Sequence, residues 1–529
     1  MLLPGIRRHN KGVKRKMKPD GIVILDFGSQ YCHLISRRIR ALNVYSEIFP
    51  YDVNIESIMN IENKFNVKGI ILSGGPRSVL DKGAPTIDFD MLKIKKPILG
   101  ICYGHQLIAY LFNGKVIKSR KGEFGLTFVN VKRPIGILKG LKKRIKVWMS
   151  HNDSVVKLPK NFDVLAYSEN CPIAAFKHKN LPIYGLQWHP EVSHSDYGNK
   201  VLANFVFNIC KSKPNWKIGN FIKNAINEIK ETVKDKKAII ALSGGVDSST
   251  ALALASKALG KNLTAVFVDN GFMRDNEPEL IKKTFKKLNI NFVYIDAKER
   301  FLKKLKGIKD PEEKRKIIGK EFIKVFEEEA KKVKADFLIQ GTIYPDRIES
   351  GFTRHSDKIK THHNVGGLPL RIKFKGIIEP LKDLYKDEVR ALAKKLGLPK
   401  EIIWRQPFPG PGLAVRIIGD ITKEKINILK NADRIVREEL ERANIKKLWQ
   451  YFAVLLSIKT TGIKGDSRSY GYVIAIRAVE SEEAMTANFA KLPYKVLERI
   501  STRITNEIPF ISRVVYDITN KPPATIEWE

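Results

Sequence analysis

The sequence predicts an α/β protein of more than one domain, on three observations. Between Gly21 and about Cys210, short apolar runs of strand length ("GIVILDFG", "VKGIILSGG", "KPILGIC") alternate with helix-length segments, the pattern of an α/β sheet. The same alternation restarts near Ile218 with "NLTAVFVDNG", "INFVYIDA" and "ADFLIQGT". At two places, "PILGICYGHQLIAYLF" and "KAIIALSGGVDSSTALALASKALG", a turn of small residues joins an apolar run to an apolar helical run. The chain has 529 residues, too many for one core at roughly 150 residues per domain.

Taken in order, residues 1–20 ("MLLPGIRRHNKGVKRKMKPD") are basic without a periodic apolar face, so a disordered tail is expected, with Met17 available as an alternative start. A first domain over 21–212 ends where "KSKPNWK" punctuates the chain. The second, 213–405, carries the serine-rich turn. At "WRQPFPGPGLAVRI" proline and glycine crowd together, marking entry into a third domain over 406–529.

With 43% hydrophobic residues the chain can fill its cores. No apolar stretch reaches the ~18 residues of a membrane span and the N-terminus is charged, so a cytoplasmic protein without a membrane partner is expected. Four cysteines without close pairing make neither a disulfide framework nor a zinc knuckle. The formal charge of +39 suits a nucleic-acid binder or an enzyme of polyanionic small molecules. Most lysines, however, stand beside acids on amphipathic runs such as "DPEEKRKIIGKEFIKVFEEEAKKVK". Aromatic-rich basic patches are not evident, so nucleic acid is not the expected partner.

Cys102 follows an apolar strand, lies between Gly100 and Gly104 and precedes the helical run "HQLIAYLF". A sharp elbow of this kind exposes a nucleophile at a helix N-terminus, whose dipole favours thiolate. Downstream, "YGLQWHPEVS" supplies His189 as a base and Glu191. "ILSGGPRSV" offers Gly74 and Gly75, whose amides could hold a tetrahedral oxyanion. Residues 21–210 thereby resemble a class I glutamine amidotransferase domain. The resemblance implies glutamine hydrolysis in which Cys102 attacks the carboxamide, His189 moves the proton and Glu191 orients His189. It assigns the oxyanion to amides near Gly75 and Tyr103, and the grip on glutamine to Gln106 with His151 and Asp153 of "SHND". Asn152, Cys32 and His33 depart from the commonest pattern of that family without touching the triad.

The second turn, "SGGVDSS", is no Walker A loop, because Asp247 stands among Ser243, Ser248 and Ser249 where a lysine is required. A glutaminase releases ammonia, so its partner must activate an acceptor, and transfer of AMP from ATP makes pyrophosphate the leaving group. A loop for that task cradles two phosphates as one unit through amides, hydroxyls and Mg²⁺, without a lysine. "SGGVDSS" resembles the loop of N-type ATP pyrophosphatases, which serve NAD synthetases, asparagine synthetases and tRNA-modifying enzymes as well. The acceptor is read from "FVDNGFMR", "DPEEKRKIIGKEF", "GTIYPDRIESG", "IKTHHNVGGLP", "RQPFPGPGLAVRI" and the terminal "KPPATIEWE". Together these resemble the glutamine-hydrolysing GMP synthase family, with Ser469 of "GDSRSYG" where that family usually has threonine.

The resemblance implies a doubly wound parallel-sheet pyrophosphatase domain and a smaller α+β C-terminal dimerisation domain, hence a homodimer. It implies ATP, xanthosine monophosphate (XMP) and glutamine as substrates, Mg²⁺ as cofactor, and an adenylated XMP that ammonia converts to GMP. Ser243, Gly244, Gly245, Val246, Asp247, Ser248, Ser249 and Lys360 would bind ATP, with Asp247 on the metal. Arg315, Asp346, Glu349, Gln450, Lys521, Ile526 and Glu527 would bind XMP. From composition alone, Arg315 reads equally well as part of a solvated lysine-rich helix.

Overall fold

A computed structural model describes residues 18–351, 374–445, 447–481 and 486–529. They fall into two compact units, up to Lys217 and Ile218–Glu529.

The first unit has nine strands among the described residues: β1 (Asp20–Asp26), β2 (Tyr45–Pro50), β3 (Asn66–Leu72), β4 (Ile98–Ile101), β5 (Lys115–Val131), β6 (Arg144–Lys157), β7 (Phe162–Tyr167), β8 (Ala175–His178) and β9 (Ile183–Leu186). They form one sheet in the order β2-β1-β3-β4-β9-β8-β7-β5-β6. From β2 to β9 neighbours run parallel, and beyond β9 they run antiparallel. β4 and most of β1 are buried at every consecutive position, as parallel strands covered on both faces must be. The α/β alternation expected throughout this region stops at Lys115: from there to Leu186 no α-helix falls among the described residues. The reason is the polar–apolar alternation of β6, exposed and buried by turns over its first half, which suits a long hairpin with one wet face. In that hairpin Glu123 of β5 pairs with His151 of β6.

The second unit opens with five parallel strands, β10 (Ala238–Ala241), β11 (Leu263–Asp269), β12 (Asn291–Asp296), β13 (Phe337–Ile339) and β14 (Gly376–Ile378). Their order is β12-β11-β10-β13-β14. The winding therefore reverses at β10, and ligands of doubly wound sheets bind beyond the C-terminal end of such a strand. The serine-rich turn begins there. A further sheet holds β15 (Leu448–Lys464), β16 (Ser467–Glu480), β17 (Asn488–Phe489) and β18 (Ile511–Tyr516), with β15–β16 antiparallel and β18 parallel to β16. One apolar core runs through the whole unit, from Ile239 and Val266 through Leu429 and Val436 to Ile474 and Ile504.

Charge is buried in that core. Asp433, on the helix Lys423–Arg442, takes Arg274 Nε and Arg437 Nε at 3.2 Å each and stands 3.8 Å from Arg416 Nη1. Arg416 also lies 3.8 Å over the Phe452 ring. Arg274, Arg416 and Asp433 are all buried. Removing one partner strands the others out of water, so Asp433→Ala is expected to lower unfolding stability by about 3–5 kcal/mol. A denaturant midpoint close to that of the parent would refute this.

Candidate active site

Three neighbouring strands of the first sheet build one centre. β3, β4 and β9 lie side by side and parallel, so the turns after them meet at one edge, carrying Gly74, Cys102 and His189. Cys102 has φ 52°, ψ −103° and caps the helix Tyr103–Leu111, a backbone state unfavourable for a side chain. The turn is too tight for side chains on its flanks: a Cβ at Gly100 would meet Gly104 O at 2.4 Å, and one at Gly104 would meet Leu72 O at 2.5 Å. Cys102 N donates to Leu186 O (2.8 Å), and the sulfur approaches Ser150 O at 3.6 Å. As the first helical residue, Tyr103 has an amide without an intrahelical acceptor.

His189 Nδ1 and Glu191 Oε1 are 2.7 Å apart, and both residues are buried. Burial opposes charge on the ring, but Glu191 and Cys102 outweigh it and hold the imidazole well above the ordinary histidine range. A Cβ at Gly74 would lie 3.1 Å from His189 Cε1 and 3.5 Å from Cys102 Cβ, so the Gly74 backbone covers the pair. One at Gly75 would meet Phe27 O at 2.6 Å. Gln106 Nε2 donates to Asp153 O at 2.8 Å and to Gln187 Oε1 at 3.2 Å. Asp153 accepts the Ser78 hydroxyl, and its carbonyl lies 2.9 Å from His151 Nδ1. Burial, followed by Arg37, pulls His33 down to about 4, and burial pushes the Cys32 thiol well up.

In the second unit the turn after β10 closes on itself. Ser243 and Ser248 hydroxyls are 2.9 Å apart, and Gly245 N reaches Ser243 Oγ at 3.3 Å. Gly244 has φ +76°, and a Cβ there would strike Ile281 Cδ1 at 2.2 Å. The helix Val246–Leu259 follows with no side-chain cap, so its first amides have no side-chain partner there. Asp247 Oδ2 pairs with Lys386, while Asp247 Oδ1 and Ser249 Oγ are buried with no hydrogen-bond partner among the described residues. Arg405 Nη1 donates to Ser243 O (3.3 Å), and Glu277 holds that guanidinium through two bonds of 2.9 and 2.7 Å. Sequence reasoning missed Lys386 and Arg405. A Cβ at Gly341 would lie 3.0 Å from Ser248 N, so "GTIYPDRIES" packs onto the turn. Asp346 Oδ2 accepts from Ile343 N at 3.1 Å. Lys360 and the Glu349 side chain lie outside the described residues.

The C-terminal segment is built into the same unit. Glu527 forms a two-bond pair with Arg416 (2.9 and 2.8 Å) and accepts from Gln450 Nε2 at 2.6 Å. Ile526 is buried against Phe452 and Val454. Arg477 donates to Thr519 O and Thr525 O at 2.5 and 2.9 Å. Lys521 pairs with Ala487 through the backbone. Lys314, fully buried, reaches Glu529 Oε2 and Ile417 O at 2.7 Å each, and Arg315 donates to Glu529 O. Gln450, Ile526 and Glu527 thus come together, and Arg315 meets the chain's last residue instead. Arg416 and Arg477, which hold the tail, carried no sequence-level assignment.

A strained cysteine elbow between a close-packed glycine turn and a histidine–glutamate pair, on this sheet, defines the first unit as a class I glutamine amidotransferase. Accordingly, the Glutamine amidotransferase class-I family matches residues 23–209, NAD synthase 217–323 and GMP synthase C terminal domain 438–528. The chain is 52% identical over 516 residues to the glutamine-hydrolysing GMP synthase of Caldicellulosiruptor saccharolyticus, covering 97% of this chain and 100% of that one. It is 53% identical over 514 residues to that of Lactobacillus gasseri (96% and 98%) and 50% over 516 residues to that of Clostridium tetani (97% and 100%). The chain belongs to the family of glutamine-hydrolysing GMP synthases.

Gly74→Ala sets a methyl against the His189 ring, which Glu191 prevents from yielding. We expect glutaminase turnover to fall on the order of 10²-fold, the cost of a displacement near 1 Å at a reacting pair, with the thermal midpoint little changed. Unaltered turnover would show that this backbone does not constrain the pair.

Proposed function

We propose that this chain aminates XMP to GMP with ATP, drawing ammonia from glutamine at the Cys102 centre. The observation that carries the reading is the pairing, on one chain, of a thiol–imidazole–carboxylate centre with a lysine-free phosphate turn at a topological switch point. Cys102 attacks the glutamine carboxamide while His189 takes the thiol proton and returns it to the departing ammonia. Amides at Gly75 and Tyr103 receive the oxyanion. Water then releases glutamate from the thioester. Gln106, with His151 and Asp153, shapes the glutamine pocket, Gln106 acting through the Asp153 carbonyl that it holds.

At the second centre the XMP C2 oxygen attacks the α-phosphorus of ATP and pyrophosphate leaves. Ammonia attacks C2 of the adenylated base, and AMP departs with the oxygen. Ser243 to Ser249 cradle the phosphates, and Lys386 and Arg405 supply positive charge beside them. Asp247 Oδ1, buried without a partner among the described residues, fits a ligand of Mg²⁺, and Ser249 Oγ stands near it in the sequence. Such an ion would neutralise charge on the leaving diphosphate. Lys360 is assigned to ATP; Asp346, Glu349, Gln450, Lys521, Ile526, Glu527 and Arg315 are assigned to XMP. A homodimer through the C-terminal domain accords with the exposed apolar side chains Ile458, Ile463, Tyr470 and Phe510. No helix among the described residues is long and apolar enough to cross a membrane, and a cytoplasmic location is proposed.

Asp247→Asn removes the charge shared by Lys386 and the ion. Turnover with glutamine and with ammonium salt is then expected to collapse together, because adenylation precedes both. Ammonia-driven turnover within a few-fold of the parent would exclude the role given to Asp247.

Glu527→Gln keeps the tail's volume and one bond to Arg416 but removes its charge. We expect the XMP concentration at half-maximal rate to rise at least roughly tenfold, equivalent to ~1.4 kcal/mol, and glutamine saturation measured without XMP to stay constant. Unchanged XMP saturation would remove Glu527 from the nucleotide site.

A further inference from the structure

Behind the elbow, on the β5–β6 hairpin and the turn after β7, stands a second group of ligand-type side chains that the proposed reaction leaves unused as ligands. Glu123, His151 and Cys171 are buried, and one donor atom from each lies within 4.8 Å of the other two. Bonds made by these residues fix which atoms face inward. His151 Nδ1 lies 2.9 Å from Asp153 O, and a carbonyl can only accept, so Nδ1 carries a proton. In the neutral ring Nε2 is then a lone pair, and it points at Glu123 Oε2 from 3.2 Å. The carboxylate is itself an acceptor, held by Ser168 Oγ at 2.8 Å from each oxygen and by Asn170 N at 3.4 Å. A lone pair facing a carboxylate requires positive charge between them, as a second ring proton or a cation. A histidine with one nitrogen tied to a carbonyl and the other facing a carboxylate, in a group that also holds a cysteine sulfur, has the arrangement of a metal ligand supported by its neighbours.

We propose that Glu123, His151 and Cys171 form a binding site for one divalent cation of the zinc and cadmium class. Sulfur, imidazole and carboxylate together suit a borderline-soft ion, with bonds of about 2.0–2.3 Å and tetrahedral ligand separations of roughly 3.5 Å. The 3.2 Å His151–Glu123 spacing is already close to that separation, so closure falls mainly to the Cys171 sulfur. Binding releases the thiol proton to solvent, and a water completes the four positions. The site is next to the reaction: Ser150, whose carbonyl meets the Cys102 sulfur, directly precedes His151, and Asp153 O joins His151 to Gln106.

The test uses the full chain carrying Cys102→Ala, so that the nucleophilic thiol cannot bind the probe. Titration with Cd²⁺ is expected to raise thiolate-to-cadmium charge-transfer absorbance that saturates at one ion per chain, and Zn²⁺ is expected to raise the thermal midpoint. Adding Cys171→Ser should abolish the absorbance, and adding His151→Gln or Glu123→Gln should weaken Cd²⁺ at least tenfold. Glu123→Gln preserves volume and can still accept from Ser168, so it reports on binding even if the other variants fold poorly. Absence of the absorbance in the Cys102→Ala protein would overturn the proposal, as would equal affinity in Glu123→Gln.

Discussion

Both centres depend on one constraint: a parallel strand that passes into a helix through a turn in which a glycine has no room for a side chain. At the first, the carbonyls of Gly104 and Leu72 occupy the places where Cβ atoms of Gly100 and Gly104 would stand. The close approach presses the helix Tyr103–Leu111 onto the strand ends, and Cys102 takes up the bend at φ 52°. A residue held there costs on the order of 1–3 kcal/mol and persists only where its surroundings over-determine it. They do so here, because β4 is flanked by β3 and β9 and Cys102 N is tied to Leu186 O. The strand order that clamps the cysteine also delivers Gly74 and His189 beside it. Position and strain therefore have the same cause.

In the second unit the C-terminal segment is held as firmly as a core element, although chain ends usually fray. Its anchors are buried arginines. Arg416 and Arg477 are fully inside and find much of their hydrogen bonding in the tail, Arg416 on Glu527 and Arg477 on three backbone carbonyls and Asp517. A buried guanidinium without acceptors would cost several kcal/mol, so the tail and the interior of β15–β16 stabilise one another. Lys314 extends the arrangement to Glu529. This explains how a segment of two prolines and two acids can hold Glu527 at a fixed place beside Gln450 of β15.

Much of this was legible in the sequence where the signal is local. Continuous apolar runs marked β1, β3, β4, β10 and β11, and the spacing Gly-x-Cys-x-Gly with His-Pro-Glu downstream marked the first centre, because each pattern answers to a backbone requirement within a few residues. The antiparallel half of the first sheet was not legible as such. Nor was the Glu123–His151 pair, which depends on hairpin register across 28 residues. Lys386 and Arg405 reach the serine-rich turn from 139 and 162 residues away; nothing near Lys386 distinguishes it among 95 lysines and arginines, and Arg405, although it opens "RQPFPGPGLAVRI", has a role that follows only from that long-range contact. Arg416 stood inside a quoted motif, but its role follows from burial, which single-sequence patterns do not report.

The missing lysine of the serine-rich turn now has a physical reading. In a loop built to follow a γ-phosphoryl group through its transfer, a lysine on the loop itself moves little relative to the terminal phosphate. Where a diphosphate must leave as a unit, charge is better placed on separate elements that can let it go. Lys386 begins the helix Lys386–Lys395, and Arg405 lies just before the glycine–proline segment. Each is neutralised meanwhile by an acid, Asp247 and Glu277 respectively. A phosphate entering the turn would compete with those carboxylates, and both cations would already be in position for it.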